Sequence, residues 1–423
     1  MNPLCANLFA RAPVYDLVFA CLSPRSLIRF ALTCRAAYLA AAEFKTRAFN
    51  INRHLSRYFV DPIAFRCLQA RTNTLVSGSN ALQFLDRTFY PEADFDLYTH
   101  FGHSFEVAQW LVEAEGYRYA PRESQVQDWK EATRFDGDLT ERRVVALGNS
   151  AQSYPTTDIA AVWSFEKRNA HGETLIVQII EARSSPLESI LGFHSSMFSF
   201  SPDARGLSYR ICRPPLACVM NFISSDAAYS LYPVATFENR SSLGMPSARS
   251  APKALQKYVR RGWRVYFIPT PNDLTFHLEQ ARWVTDKHTW ALPLDQTGIP
   301  PRPPLSPTSA ALTCDPALFN GWLFRVPSKY AGMDFKAYEC HYYPLKTTLF
   351  RYNYAIPEER LQLYVRDWAL QQGQLCHWQL AKEDWVWCVF LYGFSACWIA
   401  DAPFLDRFDT DLPAFLKQAS SAK

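Results

Sequence analysis

Residues Leu75 to Tyr98 read LVSGSNALQFLDRTFYPEADFDLY. Four signals follow one another in this stretch. Leu75-Val76 is a short apolar run, and Ser77-Gly78-Ser79 is a turn. Ala81 to Leu85 suits a helix starting over that turn, and Asp94 to Tyr98 suits a strand. In a strand, Asp94 and Asp96 point to one face while Phe95 and Leu97 point to the other. One face is then acidic and the other is core. Two carboxylates side by side repel each other unless a cation or hydrogen-bond donors lie between them. Such a pair can hold a metal ion, and a Gly-Ser turn ahead of it can hold a phosphate.

The flanking sequence extends this unit. Glu43 to Arg71 carries helical signals. Ser104 to Glu115, SFEVAQWLVEAE, is an amphipathic helix ended by Gly116. Tyr117 to Tyr119 resumes as a strand. Ile159 to Lys167 and Glu173 to Glu181 are β-rich runs joined by a hairpin loop, Arg168-Asn169-Ala170-His171-Gly172. Helix, turn, helix, acidic strand, helix, strand and hairpin together predict a compact mixed α/β unit.

That unit resembles the nucleotidyltransferase fold, whose mark is an apolar residue, Gly-Gly or Gly-Ser, a spacer, then Asp-x-Asp/Glu on a strand. Gly78, Ser79, Asp94 and Asp96 fit the pattern. The resemblance implies a nucleoside triphosphate held at Gly78 and Ser79, and Mg²⁺ held at Asp94 and Asp96. The family's third carboxylate falls on a neighbouring strand, mid-way through Leu175 to Glu181. The residue at that position is Gln178, which carries no charge. Glu181 is odd-phased to Gln178 and should face the opposite side. Asp158, ahead of the first hairpin strand, is another candidate. Two-metal phosphoryl chemistry needs enough carboxylate for both ions. The unit therefore reads either as a degenerate nucleotide-binding or structural body or as a working transferase. Basic residues in Lys253 to Arg264, KALQKYVRRGWR, either contact phosphate or form a solvated helix face. His100 and His103 read as polar residues of a loop.

The opening residues carry a second pattern. Pro13 to Ala42 reads PVYDLVFACLSPRSLIRFALTCRAAYLAAA. Leu17, Val18, Cys21 and Leu22 recur at helical spacing. Ser23-Pro24 restarts a helix, because Ser caps well and Pro at the first position loses no hydrogen bond. Leu27, Ile28, Ala31 and Leu32 follow at three- and four-residue steps. About forty residues cannot bury this apolar surplus alone.

The stretch resembles the F-box in Pro13, Leu17-Val18, Leu22, Pro24, Leu27-Ile28, Leu32 and Thr33-Cys34-Arg35. PVYDL stands where that family has Leu-Pro-x-Glu. The resemblance implies a three-helix unit docking on a Skp-type adaptor of a cullin–RING ubiquitin ligase. Pro13, Leu17, Val18, Leu22, Leu27, Ile28 and Leu32 would make the contact. The whole arrangement is similar to a group of basidiomycete fungal proteins that join an F-box-like start to a nucleotidyltransferase-like body. Ser77-Gly78-Ser79, Ala81-Leu82-Gln83-Phe84, Tyr90-Pro91 and Asp94-Phe95-Asp96-Leu97-Tyr98 carry that similarity. Met197 to Ala217 interrupts it and reads as loop-like, either a surface insertion or a retained intron.

Composition bounds the remaining choices. The chain has 423 residues, 48% hydrophobic and 15% aromatic, enough for a large core. With 44 basic and 40 acidic residues the charge is too balanced to point to nucleic acid or a membrane surface. Eleven cysteines are scattered singly, without a CxxC pair, and the opening residues do not read as a signal peptide. These are expected to be reduced thiols of a cytoplasmic or nuclear protein.

The expected fold class is α+β. Residues 1–50 form an F-box-like helical unit. Residues 51–290 form the nucleotidyltransferase-like domain, with 197–217 inserted. Residues 291–310 form a Pro-rich loop around PPRPPLSP, expected to be extended and solvated. Residues 311–423 form an aromatic, β-rich extension packed on the body, in which Trp385 to Ala400 suggests buried strands. That extension is the expected face for a target protein, whose identity no motif gives.

Overall fold

The computed structural model describes residues 9, 11–134, 159–192, 199–202, 208–212, 216–243, 252–266, 274–302, 314–325, 339–345, 350, 352–365, 367–368 and 412. Near the start of the described residues lie the helices α1 (Ala12–Ala20), α2 (Pro24–Ala31) and α3 (Arg35–Ala48). Pro13 lies in the first turn of α1, where its missing N–H costs nothing. Ser23 Oγ accepts from Ser26 N at 3.2 Å and caps α2. The three helices bury Tyr15, Phe19, Leu27, Ala31, Ala40, Ala41 and Phe44 against one another as a small core of their own.

The unit is tied to the body at two helix ends. The Glu238 carboxylate accepts from Ser23 Oγ at 2.6 Å and from Arg25 N at 2.9 Å, at the positive end of α2. Arg87 donates to the carbonyls of Phe19 and Leu22 at 3.0 and 2.6 Å, where α1 ends.

The body continues with α4 (Ile51–Leu55), α5 (Pro62–Thr72), β1 (Leu75–Ser77), α6 (Gly78–Asp86), β2 (Phe95–Thr99), α7 (Ser104–Glu113), β3 (Arg118–Tyr119), α8 (Trp129–Thr133), β4 (Ile159–Arg168), β5 (Thr174–Ala182) and α9 (Pro186–Gly192). Then come β6 (Ser199–Pro202), β7 (Ser208–Cys212), β8 (Asn221–Ile223), β9 (Ala227–Ser230), β10 (Ser241–Leu243), α10 (Pro252–Arg260), β11 (Arg264–Tyr266), β12 (Ala281–Trp283), β13 (Trp290–Pro293), β14 (Gly321–Arg325), β15 (Glu339–Leu345) and β16 (Tyr354–Ile356).

Eight strands form the central sheet in the order β13-β9-β8-β1-β2-β5-β4-β3. Within this sheet, among the described residues, only β2 and β5 pair in parallel. Period-two alternation gives the sheet two apolar faces. Phe95, Leu97, Val177, Ile179, Trp163 and Phe165 pack with Phe65, Leu82, Leu85 and Leu111 from the helices. On the other face, Leu75, Tyr98, Ile180, Phe222 and Tyr229 pack with α9 and with Trp322, Phe324 and Tyr342 of a second sheet. That sheet runs β12-β14-β15-β7-β6, with β16 beside β15. The fold is mixed α+β, and no helix among the described residues is long and apolar enough to cross a membrane.

Three features differ from the sequence reading. β13 belongs to the central sheet, so the body runs past residue 290. The 197–217 stretch is not simply loop: it supplies β6 and β7, and β7 pairs with β15. Its Ser-, Pro- and Arg-rich composition masked the strand alternation of Ser208 to Cys212. Nor is the Pro-rich stretch wholly solvated. Arg302 is nearly buried and donates to Asp226 Oδ2 at 2.7 Å and Ser225 Oγ at 2.9 Å. Residues 303–313, and the Trp385 to Ala400 run, lie outside the described residues.

Removing the Glu238 carboxylate leaves the start of α2 without its anion. Glu238→Ala is expected to cost about 1–2 kcal/mol, in the range of a lost helix cap. Hydrogen exchange across residues 23–31 should speed up while the central sheet keeps its protection. Unchanged exchange there would show that the contact does not hold the helices to the body.

Candidate functional site

The sheet register decides which polar side chains meet. Ser77 pairs with Asp96, Asp96 with Gln178, and Gln178 with Ser164. Side chains at paired positions share a face, so these four make a polar row across β1, β2, β5 and β4. Asp94 precedes β2 on the same side. Asp94 and Asp96 are both half-buried.

Gly78 opens α6 directly beside this row. Its φ is +67°, a left-handed conformation, and a Cβ there would collide with Asp96 Oδ2. Glycine is thus required twice over, by its backbone and by the carboxylate lying against it. No side chain caps α6. Ser77 Oγ is turned away and donates to Asn221 O at 2.6 Å. Ser79 is buried in the first turn, and its carbonyl accepts from Gln83 Nε2 at 3.2 Å. Gln83 Oε1 accepts in turn from Tyr90 N at 2.7 Å, which fastens the loop carrying Tyr90 and Glu92 to α6.

A basic helix faces the acids. Lys257 of α10 is half-buried and acts electrostatically on both Asp94 and Asp96. Arg261 follows α10, lies 3.6 Å over the Tyr90 ring and pairs with Glu92 at 2.7 Å. Burial pushes the Asp96 carboxyl up to about 7, the charge of Asp94 adds to this, and Lys257 opposes it. Burial also raises Asp94, again against Lys257. Lys257 itself is lowered, by burial and by Arg261, against the pull of the acids. These are charges held partly out of water near each other, an arrangement that an anion plus a cation would relieve.

The register also disposes of one stand-in for the third acid. Glu181 pairs with Thr99, three residues beyond Asp96, and so lies on the opposite face. It is buried and accepts from Ser104 Oγ at 2.9 Å and Gly102 N at 3.2 Å, holding the start of α7. Asp158 lies outside the described residues. Among the described residues, no group of three or more His, Cys, Asp or Glu side chains comes together as a metal site. His100 is not a solvated loop residue. Tyr352, from far along the chain, covers its ring at 4.7 Å, and Nε2 meets Asn73 Nδ2 at 3.0 Å.

The N-terminal unit presents a different surface. Leu17 is 75% exposed and Leu32 78%, with Pro13, Val18 and Ile28 also exposed and Leu22 half-buried. Leu27 is only 2% exposed and belongs to the unit's own core, so it does not sit on that surface. Helical spacing placed Leu27 and Ile28 together but could not say which of them the neighbouring helices cover. Val14, Tyr38 and Leu39 are exposed as well. Comparison with family models, with curated proteins and with solved structures finds no match to this chain.

The raised Asp96 carboxyl has a consequence for stability. Its ordinary value is 3.8 and its value in the fold about 7. Between these the folded chain binds the extra proton, so stability is highest at the acid end and falls as pH rises through 7. Asp96→Asn removes this loss. It should stabilise the fold by ~1–3 kcal/mol near pH 8 and have little effect near pH 4, measured by urea denaturation.

Proposed function

We propose that this chain is an F-box-like interaction protein that docks through its N-terminal helices on a Skp-type adaptor. The observation carrying this reading is the exposure of Leu17 and Leu32 on a unit that already has its own core. Large aliphatic side chains left in water by an otherwise well-buried helical unit are characteristic of an association surface. Pro13, Val18 and Ile28 extend it, and docking would bury all five at roughly 25 cal/mol per Å². The body would then present a target protein to a cullin–RING ubiquitin ligase. A cytoplasmic or nuclear setting follows from that partner.

The experiment is a pull-down with a purified Skp-type adaptor. The double variant Leu17→Asp/Leu32→Asp should keep its fold, because neither side chain is packed, and should lose the adaptor. Affinity should fall at least about a hundredfold, as expected when two apolar contacts are replaced by charges. Leu27→Asp should instead melt the helical unit. Retention of the adaptor by the folded double variant, or no binding by the unaltered chain, would sink the reading.

A second reading is favoured by the contact between Gly78 and Asp96 and by Lys257 facing the acid pair. In it, the body binds a nucleoside triphosphate with Mg²⁺ and works as a sensor or a nucleotidyltransferase. The donor set fits one cation, with Asp94 and Asp96 as ligands and phosphate oxygens completing the shell. It does not fit two, since the third position is the uncharged Gln178. Gly78, Ser79 and Lys257 would hold the phosphates.

Calorimetry with a nucleoside triphosphate tests this reading. Binding should require Mg²⁺ and should weaken about a hundredfold in Asp94→Asn/Asp96→Asn, the effect of losing both metal ligands. Metal-independent binding, or none, counts against it.

A further inference from the structure

A cleft of about 470 Å³ opens where α2 meets the body. Arg25, Ile28 and Arg29 of α2 line one side, and Val234, His277 and Lys287 line the other. The cleft lies apart from the acid row and from Leu17 and Leu32, and shares Ile28 with the proposed docking surface.

Its charge is predominantly positive. The only carboxylate in the lining is Glu238, and that is committed to Ser23 Oγ and Arg25 N. Arg25, Arg29 and Lys287 are exposed, and the ion pairs found among the described residues are made by other basic side chains. Three cations on two separate elements therefore line one space against a single carboxylate, Glu238.

Two imidazoles add to this. The rings of His277 and His288 lie against each other, tilted by 37° with centroids 3.8 Å apart. His277 has φ +48°, a left-handed backbone that a side chain rarely takes. Such a conformation persists only where the surroundings over-determine it. Burial, then Arg282, His288 and Lys287, push His277 down to about 4, and only Asp286 pulls the other way. Asp286 is already taken by Arg282 at 2.5 Å and by the amides of Trp283, His288 and Thr289. Near neutral pH His277 is thus an uncharged ring in a cationic surround. Ile28, Val234 and the half-buried Trp290 add apolar surface to both walls of the same cleft.

We propose that this cleft binds a small organic anion, a phosphate or carboxylate on an aromatic or apolar body. Arg25 and Arg29 reach it from the helical unit, and Lys287 reaches it from the body. A bound anion would therefore clamp α2 onto the rest of the chain.

Calorimetry on the full chain with phenyl phosphate and with benzoate tests this. Saturable binding to one site by either is expected, weakening as salt rises. Arg29→Ala/Lys287→Ala should lower affinity by at least about tenfold, since charge-assisted contacts on both walls are lost. Both side chains are exposed, so the variant should fold. His277→Gly suits the left-handed backbone; it should melt no lower than the unaltered chain yet bind more weakly. Ring-proton spectra of His277 should show its titration midpoint moving up from about 4 when ligand is bound. Three results would overturn the proposal: no saturable binding of either anion, unchanged affinity in Arg29→Ala/Lys287→Ala, or equally tight binding of benzyl alcohol.

Discussion

The parallel pairing of β2 with β5 is the constraint on which the rest of the body depends. Among the described residues it is the one parallel contact in an otherwise antiparallel central sheet. A parallel pair needs a crossover, and the chain from α7 to β4 supplies it. The pairing puts Asp96 beside Gln178 and Thr99 beside Glu181. A slip of one residue would send Phe95 and Leu97 out of the helical core and bring the acids into it. The apolar pattern on both faces therefore locks the register, and the register settles which acids meet.

Asp96 shows what that lock costs locally. Its carboxyl is held against Gly78, beside Asp94 and partly out of water. Lys257 opposes the repulsion. The helix carrying Lys257 is in turn followed by Arg261, which stacks on Tyr90 and pairs with Glu92 on the loop before the acids. Turn, acidic strand and basic helix thus form one electrostatic assembly, and a substitution in any of them is felt in the other two.

Much of this assembly was legible in the sequence. Period-two alternation from Asp94 to Tyr98 gave the faces of β2. The odd spacing between Gln178 and Glu181 put Glu181 on the far side. Gly78 was readable as a turn residue, though not as the neighbour of Asp96, because that contact depends on strand pairing. What escaped was long-range. His100 is covered by Tyr352, some 250 residues later, and no local pattern records that cover. Leu27 and Leu32 look alike by spacing, and only the packing of the three helices separates core from surface. Ser208 to Cys212 reads as loop until β15 lies beside it. The cationic cleft gathers residues from three distant stretches and has no motif at all.

Arg87 ends α6 in a left-handed conformation, and its guanidinium closes the exposed carbonyls where α1 stops. Burial pulls its pKa down, and its Nε has no acceptor among the described residues. The helix that begins at the acid site therefore ends by holding the N-terminal unit, so the two candidate surfaces share one rigid strut nine residues long. Cutting the chain at residue 50 would strip this cation of both its acceptors. The body is in that sense built around its N-terminal helices, and the two halves inherit each other's stability.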